Sequence, residues 1–230
     1  MNKRIKYFDD FVNENKSDRV VSAKDLLETD FEDMLAFEGK WEEMFGNPAP
    51  DMSMMISGAP ASGKTSILLE FAYYLASNFG KVVYISSEEF GSVTLVEKLE
   101  EIVKKAGSEG AEEGKFLLPD NLFFAKGMTD LEDYDFVIID SVNDLNLDLM
   151  DYKEIRDIYG KKAFISVLQY TKAGDFRGGL DWEHEMDIAC KISAGVVTVN
   201  KNRYGDNKKY DYFNDVALPF NENEEESERE

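Results

Sequence analysis

The chain has 230 residues, and its 47 Asp and Glu against 26 Lys and Arg give a formal net charge of −21. Its one cysteine excludes both a disulfide framework and a four-cysteine zinc site within the chain. The sequence holds no apolar run of the ~18 residues that a membrane span needs, and its first residues lack the apolar centre of a secretory signal. We therefore expect a cytoplasmic protein with no zinc and no membrane association.

The first fifty residues are charged and only weakly periodic. We expect residues 1–50 to form an N-terminal helical arm or packing segment rather than a separate domain. Within it, Trp41 and Phe45 are interpreted as core residues. The main domain is predicted to span residues 51–220. Residues 221–230, with six Glu and one Arg, are predicted to form a disordered acidic tail.

The most informative motif comes next in the chain. Residues 58–65 read GAPASGKT, a complete G-x-x-x-x-G-K-[ST] phosphate-binding loop. An apolar run at 52–56 predicts a buried strand before it, and residues 65–79 predict a helix after it. Backbone N–H groups of such a loop, with the positive end of the helix, bind phosphate. We therefore expect ATP and Mg²⁺, with Lys64 on the β- and γ-phosphates and Thr65 on the metal. For Trp41 and Phe45, contact with the nucleotide base is the alternative to a place in the core. The predicted nucleotide-binding residues are Gly58, Ala59, Pro60, Ala61, Ser62, Gly63, Lys64, Thr65 and Ser66.

Strands and helices alternate over the next hundred residues. Further strands are predicted at 81–86, 121–125, 135–140 and 163–168, and helices at 93–106 and 150–159. The last part of the chain predicts antiparallel strands at 187–192, 195–200 and 210–213. This order is typical of an α/β fold whose sheet is mostly parallel, with antiparallel C-terminal strands.

Carboxylates follow two of the predicted strands. Asp140 ends the apolar strand at 135–140 and is the natural residue to hold Mg²⁺ opposite Thr65, directly or through water. Glu88 and Glu89 follow the strand at 81–86, where a carboxylate can orient or deprotonate an attacking water molecule. Spacing alone leaves open that both glutamates are ordinary surface residues of a loop.

The ordered series of motifs resembles the RecA-like ATPases, and among them the RadA/Sms branch of bacterial recombination proteins. The matching segments cover roughly residues 50–215, and the most distinctive are the phosphate-binding loop and KNRYG. The resemblance implies a RecA-like P-loop NTPase core that hydrolyses ATP. The segments, in chain order, are GAPASGKT, VVYISSEEF, FVIIDSVN, LQYTKAG, the EH of WEHEMD, and NKNRYG.

The resemblance also implies roles for residues of the site. Glu88, rather than Glu89, corresponds to the catalytic carboxylate that activates water. Asp140 corresponds to the metal-associated aspartate. Gln169 stands where this superfamily places a polar sensor of the γ-phosphate, although RadA proteins usually have His there.

Two pairs of basic residues resemble contacts with partners. The loop at 170–180 corresponds to a loop that contacts single-stranded DNA, with Lys172 and Arg177 as candidates. A solvated loop is the alternative, because Asp175 and Asp181 lie in the same segment. Lys201 and Arg203 resemble a basic pair that reaches the ATP of a neighbouring subunit, as an arginine finger does. That role implies a homo-oligomer, either a hexameric ring or a filament.

Three functions follow as expectations. The first is an ATPase that acts on single-stranded DNA in recombination, repair or replication. The second is a KaiC-like regulatory ATPase without DNA binding, which the charge of −21 favours. The third is a small-molecule P-loop kinase, against which the sequence offers no arginine-rich lid. Residues 160–209, with nine Lys and Arg and six Asp and Glu, are the mildly basic exception in an acidic chain.

Overall fold

The structure is a computed structural model, and it describes residues 23–24, 34–108, 118–169 and 179–220. Among these residues, the helices that we number are α1 (Lys40–Phe45), α2 (Lys64–Asn78), α3 (Val93–Ser108), α4 (Leu149–Ile158) and α5 (Gly179–Glu185). The strands are β1 (Ser53–Gly58), β2 (Val82–Ile85), β3 (Leu122–Ala125), β4 (Phe136–Ile139), β5 (Ala163–Gln169), β6 (Ile188–Ser193), β7 (Val196–Asn202), β8 (Lys208–Asp211) and β9 (Val216–Leu218).

All nine strands form one sheet in the order β3-β2-β4-β5-β1-β6-β7-β8-β9. The strands from β3 to β6 in this order pair in parallel, and β7, β8 and β9 continue the sheet with antiparallel pairing. The predicted α/β fold, with a mostly parallel sheet and antiparallel C-terminal strands, is therefore confirmed. β6 differs from the prediction of a purely antiparallel C-terminal unit, because it pairs in parallel with β1 and antiparallel with β7.

Parallel pairing brings the carboxyl ends of consecutive strands to one edge of the sheet. Gly58 at the end of β1 is in register with Gln169 at the end of β5. Ile85 at the end of β2 is in register with Ile139 at the end of β4. Ligands of open α/β sheets bind at this carboxyl edge.

Apolar side chains cover both faces of the sheet. Successive residues of β1 alternate between two buried clusters, with Met54 on the face of α1 and α2 and Met55 on the face of α4 and α5. This two-sided burial explains why the central strands read as continuous apolar runs rather than as alternating patterns. Trp41 and Phe45 lie in the first cluster and are 4% and 2% exposed, which supports their interpretation as core residues.

The predicted N-terminal arm and acidic tail are described only in part. Residues 34–50 pack on the domain through α1. Residues 1–22, 25–33 and 221–230 lie outside the described residues. The predicted domain boundaries therefore stay predictions. Among the helices that the structure describes, none combines the length and the apolar character that crossing a bilayer requires.

A charged network connects α2 to three other parts of the chain. The carboxylate of Glu70 accepts hydrogen bonds from Lys40 of α1 and from the hydroxyl of Tyr212, just after β8. Lys105 of α3 donates to the same carboxylate at 3.1 Å, and the ammonium of Lys40 lies 4.3 Å from the centre of the Tyr212 ring. The side chains of Lys40 and Glu70 are only 14% and 20% exposed, so solvent screens this ion pair weakly.

Glu70→Gln should lower the free energy of unfolding by about 2 kcal/mol, because it leaves the half-buried Lys40 without its counter-charge. The matched control is Glu100→Gln, whose carboxylate pairs with Lys104 at 3.8 Å on the exposed surface of α3. That change should cost less than about 0.5 kcal/mol. Urea unfolding measures both values, and equal effects would contradict a stabilising role for the Glu70 network.

Candidate nucleotide-binding site

The phosphate-binding loop connects β1 to α2 at the carboxyl edge of the sheet. A Cβ atom on Gly58 would lie 2.4 Å from the carbonyl oxygen of Ile192, so only glycine allows this approach to β6. Gly63, directly before α2, has a φ of 100°, a left-handed conformation that glycine adopts at little cost. The turn after β6 also supports the loop, since the N–H of Gly195 donates to the carbonyl of Ser62 at 3.1 Å.

Lys64 lies inside the curve of the loop. Its Nζ donates to the carbonyl oxygens of Gly58 at 2.9 Å and of Ala59 at 2.7 Å, and the residue is only 8% exposed. Burial lowers the pKa of Lys64, while the negative charge of Asp140 opposes that shift. The ammonium group is therefore bound to the loop backbone, close enough to Asp140, the residue after β4, to feel its charge.

The two predicted metal residues are in direct contact. Thr65 Oγ1 donates to Asp140 Oδ2 at 3.1 Å, and the hydroxyl of Tyr84 donates to the same oxygen at 2.6 Å. Burial raises the pKa of Asp140, and these two hydrogen bonds counteract part of that effect. Tyr84 was not predicted from the sequence, because its contact with Asp140 depends on the pairing of β2 with β4.

The residues at this site fit the phosphates of ATP and a magnesium ion. Ser62 Oγ is buried and has no hydrogen-bond partner among the described residues, and no side chain caps the start of α2 at Gly63. These unsatisfied groups and the N–H groups of the first turn can bind an anion. Thr65 and Asp140 supply hard oxygen ligands, and Mg²⁺ commonly takes one or two of these together with water and phosphate oxygens.

The geometry distinguishes Glu88 from Glu89. The carboxylate of Glu89 pairs with Lys98 of α3, at 2.7 and 2.8 Å from its two oxygens. Glu88 is exposed and lies near the carboxylates of Asp144 and Asp140. The charge of Asp144, followed by burial, raises the pKa of Glu88. A carboxylate near the metal residues with a raised pKa is suited to accept a proton, and this environment favours Glu88.

Gln169 is held by the turn that follows Asp140. Its backbone N–H donates to Asn143 Oδ1 at 2.7 Å, and its Nε2 donates to Ser141 Oγ at 3.2 Å and to Asp144 Oδ2 at 3.1 Å. Asp144 therefore contacts Gln169 and also influences Glu88. No sequence signal indicated Asp144, since it is one of several acidic residues in a polar turn.

Lys201 and Arg203 lie away from this site. β7 is antiparallel to β6, so Arg203, just beyond the end of β7, pairs with Asp187 at 2.8 Å at the amino ends of the parallel strands. Asp187 also accepts a hydrogen bond from Ser53, the first residue of β1. Ser53 and Gly58 are five residues apart, roughly 17 Å along a strand. The structure thus does not bring this basic pair to the phosphate-binding loop of its own chain. Lys172 and Arg177 lie outside the described residues.

Comparison with curated proteins finds a bacterial relative, and no family model matches the chain. The DNA repair protein RadA of Helicobacter pylori (strain J99) is 25% identical over an alignment of 217 residues, and the match covers 81% of this chain and 46% of RadA. The chain therefore spans about half the length of the curated relative that it matches.

Solved structures with the same arrangement come from proteins of different kinds. The flagellar accessory protein FlaH of Methanocaldococcus jannaschii is 17% identical with a TM-score of 0.50, covering 74% of this chain and 90% of FlaH. A solved ATPase domain of another protein is 15% identical with a TM-score of 0.51, covering 79% of this chain and 89% of that domain. A KaiC-like protein of Pyrococcus horikoshii OT3 is 15% identical with a TM-score of 0.50, covering 78% of this chain and 93% of the KaiC-like protein. At these identities the likeness concerns the fold alone. The protein is therefore built on the RecA-like P-loop ATPase fold, and its sequence is similar to that of RadA.

Proposed function

We propose that the protein hydrolyses ATP in the presence of Mg²⁺ and acts on single-stranded DNA as a homo-oligomer. The observation that carries the ATPase proposal is the contact of Thr65 with Asp140 at 3.1 Å, beside the buried Lys64 and the exposed Glu88. These four side chains come from three separate segments, and parallel pairing gathers them at one edge of the sheet.

Each of these residues has a distinct task in the proposed reaction. The loop N–H groups and Lys64 bind the phosphates and stabilise the charge that develops during transfer to water. Thr65 and Asp140 hold Mg²⁺, which, when bound, neutralises charge on phosphate oxygens. Glu88 orients the attacking water and accepts its proton, for which its raised pKa is an advantage. Gln169, at the end of β5, senses the γ-phosphate.

The position of the basic pair supports a site shared between subunits. Lys201 Nζ donates to the carbonyl oxygens of Glu183 and His184 at 2.8 Å each. The Arg203 side chain remains 57% exposed although it pairs with Asp187. Because both residues lie at the amino ends of the parallel strands, a nucleotide phosphate that they contact would have to be bound by another copy of the chain. We propose that they complete the site of that neighbour.

The proposed action on DNA is supported by sequence similarity and charge, whereas the ATPase proposal is supported by the geometry of the site. The support for action on DNA is the similarity to RadA and the mildly basic segment 160–209, which includes Lys172 and Arg177. Gln169 directly precedes the segment that includes these two residues in the sequence. Its contact with Asp144, which also influences Glu88, offers a physical connection from the end of β5 to Glu88.

A regulatory ATPase without DNA binding is the second candidate. The net charge of −21 favours it, because an acidic protein repels a polyanion over most of its surface. The two candidates share the same ATPase site, so only the response to DNA separates them.

The first test is the ATPase rate with and without single-stranded DNA, at low and moderate salt. Lys64→Ala should reduce turnover at least about 100-fold, since it removes the cation from the phosphate site. The control is Lys81→Ala, an exposed lysine directly before β2. DNA should stimulate the wild-type protein, and stimulation should weaken steeply with salt. An ATPase rate that depends on Lys64 but does not change when single-stranded DNA is added would favour the regulatory ATPase.

A mixing experiment tests the shared site. Arg203→Ala and Lys64→Ala should each be inactive alone, whereas an equal mixture should regain about a quarter of wild-type turnover. The reason is that random assembly pairs an intact loop with an intact arginine at one interface in four. Thermal unfolding of Arg203→Ala checks that loss of the Asp187 ion pair leaves the subunit folded. A mixture that stays inactive would exclude action across the interface.

The pH dependence tests the role of Glu88. A general base loses activity as the pH falls through its pKa, and the charge of Asp144 raises that pKa. Asp144→Asn removes the charge and should move the acid limb of kcat/KM to lower pH. Asp157→Asn, on the exposed side of α4, is the control for the change in net charge. An unmoved acid limb in Asp144→Asn would assign the limb to a group other than Glu88.

A further inference from the structure

We propose that Tyr84 is a positioning residue for the metal site: its buried hydroxyl fixes the carboxylate of Asp140 so that the second carboxylate oxygen faces Mg²⁺. This inference rests on the proposed ATPase function. It concerns a side chain in the middle of a strand that is otherwise entirely apolar, and it explains why a polar group stands there.

The register of the sheet brings Tyr84 to Asp140. Tyr84 on β2 is paired with Ile138 on β4, and both belong to the cluster on the face of α2. Side chains two residues apart in a strand share a face, so Asp140 also points toward α2. The tyrosine side chain is long enough to extend from its own pair to the next one, where its hydroxyl meets Asp140 Oδ2 at 2.6 Å.

The environment of the hydroxyl indicates a specific polar role. Tyr84 is 0% exposed, and burying a hydroxyl without a partner costs about 1–3 kcal/mol. A phenylalanine would fill the same space with no such cost. The distance of 2.6 Å is that of a short hydrogen bond between a hydroxyl donor and an oxygen acceptor. The tyrosine is thus a donor to the carboxyl group of Asp140.

Two donors converge on one oxygen of the carboxylate. Among the described residues, the side-chain hydrogen bonds to Asp140 come from Tyr84 and Thr65, and both end on Oδ2. Holding Oδ2 fixes the rotation of the carboxylate and leaves Oδ1 to a metal ion or its water. Groups that orient a metal ligand in this way typically contribute 10–100-fold to metal affinity.

The test measures binding of a fluorescent ATP analogue while MgCl₂ is varied, and separately in EDTA. In Tyr84→Phe, the MgCl₂ concentration at which magnesium produces half of its full effect on binding of the ATP analogue should rise about 10–100-fold. Affinity in EDTA should stay within about twofold of the wild type, because the phosphate loop is unchanged. This split separates positioning of the metal ligand from a general loss of structure, which would weaken both measurements.

The matched control is Tyr152→Phe. Tyr152 is also 0% exposed, lies in the cluster on the opposite face of the sheet, and contacts Met186 Sδ through its hydroxyl at 3.6 Å. Its replacement should leave both measurements unchanged. The inference is overturned if Tyr84→Phe keeps the wild-type magnesium requirement, or if it weakens binding equally with and without magnesium. Absence of ATP binding in the wild-type protein would instead overturn the proposed function itself, and the inference with it.

Discussion

The parallel pairing of β1 with β5 on one side and β6 on the other is the constraint on which the site depends. Parallel neighbours cannot be joined by a tight turn, so the chain must cross over the sheet between them, usually as a helix. These crossovers cover both faces and bury the central strands β1, β2, β4 and β5. The same pairing collects the turns that leave the strands at one edge. The phosphate-binding loop, the Glu88 turn and Asp140 meet there because the strands all point the same way.

At that edge, polar contacts connect neighbouring strands to one another. Asp140 is bound from β2 by Tyr84 and from α2 by Thr65, and the turn after it binds Gln169 at the end of β5. A displacement of any one of these groups changes the hydrogen bonds of the next. Such a network, packed on a rigid sheet, is a physical means by which an event beyond Gln169 would reach the residues around the phosphate.

Local pattern in the sequence predicted most of the fold and part of the site. The predicted strands and helices from 52 to 213 agree with the structure within two residues at each end, because long apolar runs and turn residues define them. α5 and β9 were missed, since seven and three residues are too few to show a period. The phosphate-binding loop and Asp140 were predicted as site residues because the proposed chemistry requires a fixed local order. Spacing did not distinguish Glu88 from Glu89, and it did not indicate Tyr84 or the parallel pairing of β6. These features depend on which strands and helices become neighbours in the fold. The sequence of a single segment does not determine those neighbours.

The placement of the phosphate-binding loop and Arg203 at opposite edges of the sheet has a consequence for assembly. If Arg203 reaches a neighbour's nucleotide, unlike surfaces of two copies meet, so the contact is head-to-tail, and it must close into a ring or continue as a filament. The nucleotide is then part of the interface between subunits. By thermodynamic reciprocity, ATP would tighten the assembly by the same factor by which assembly tightens ATP. Dilution of the protein would then release nucleotide, and hydrolysis at one interface would loosen that interface.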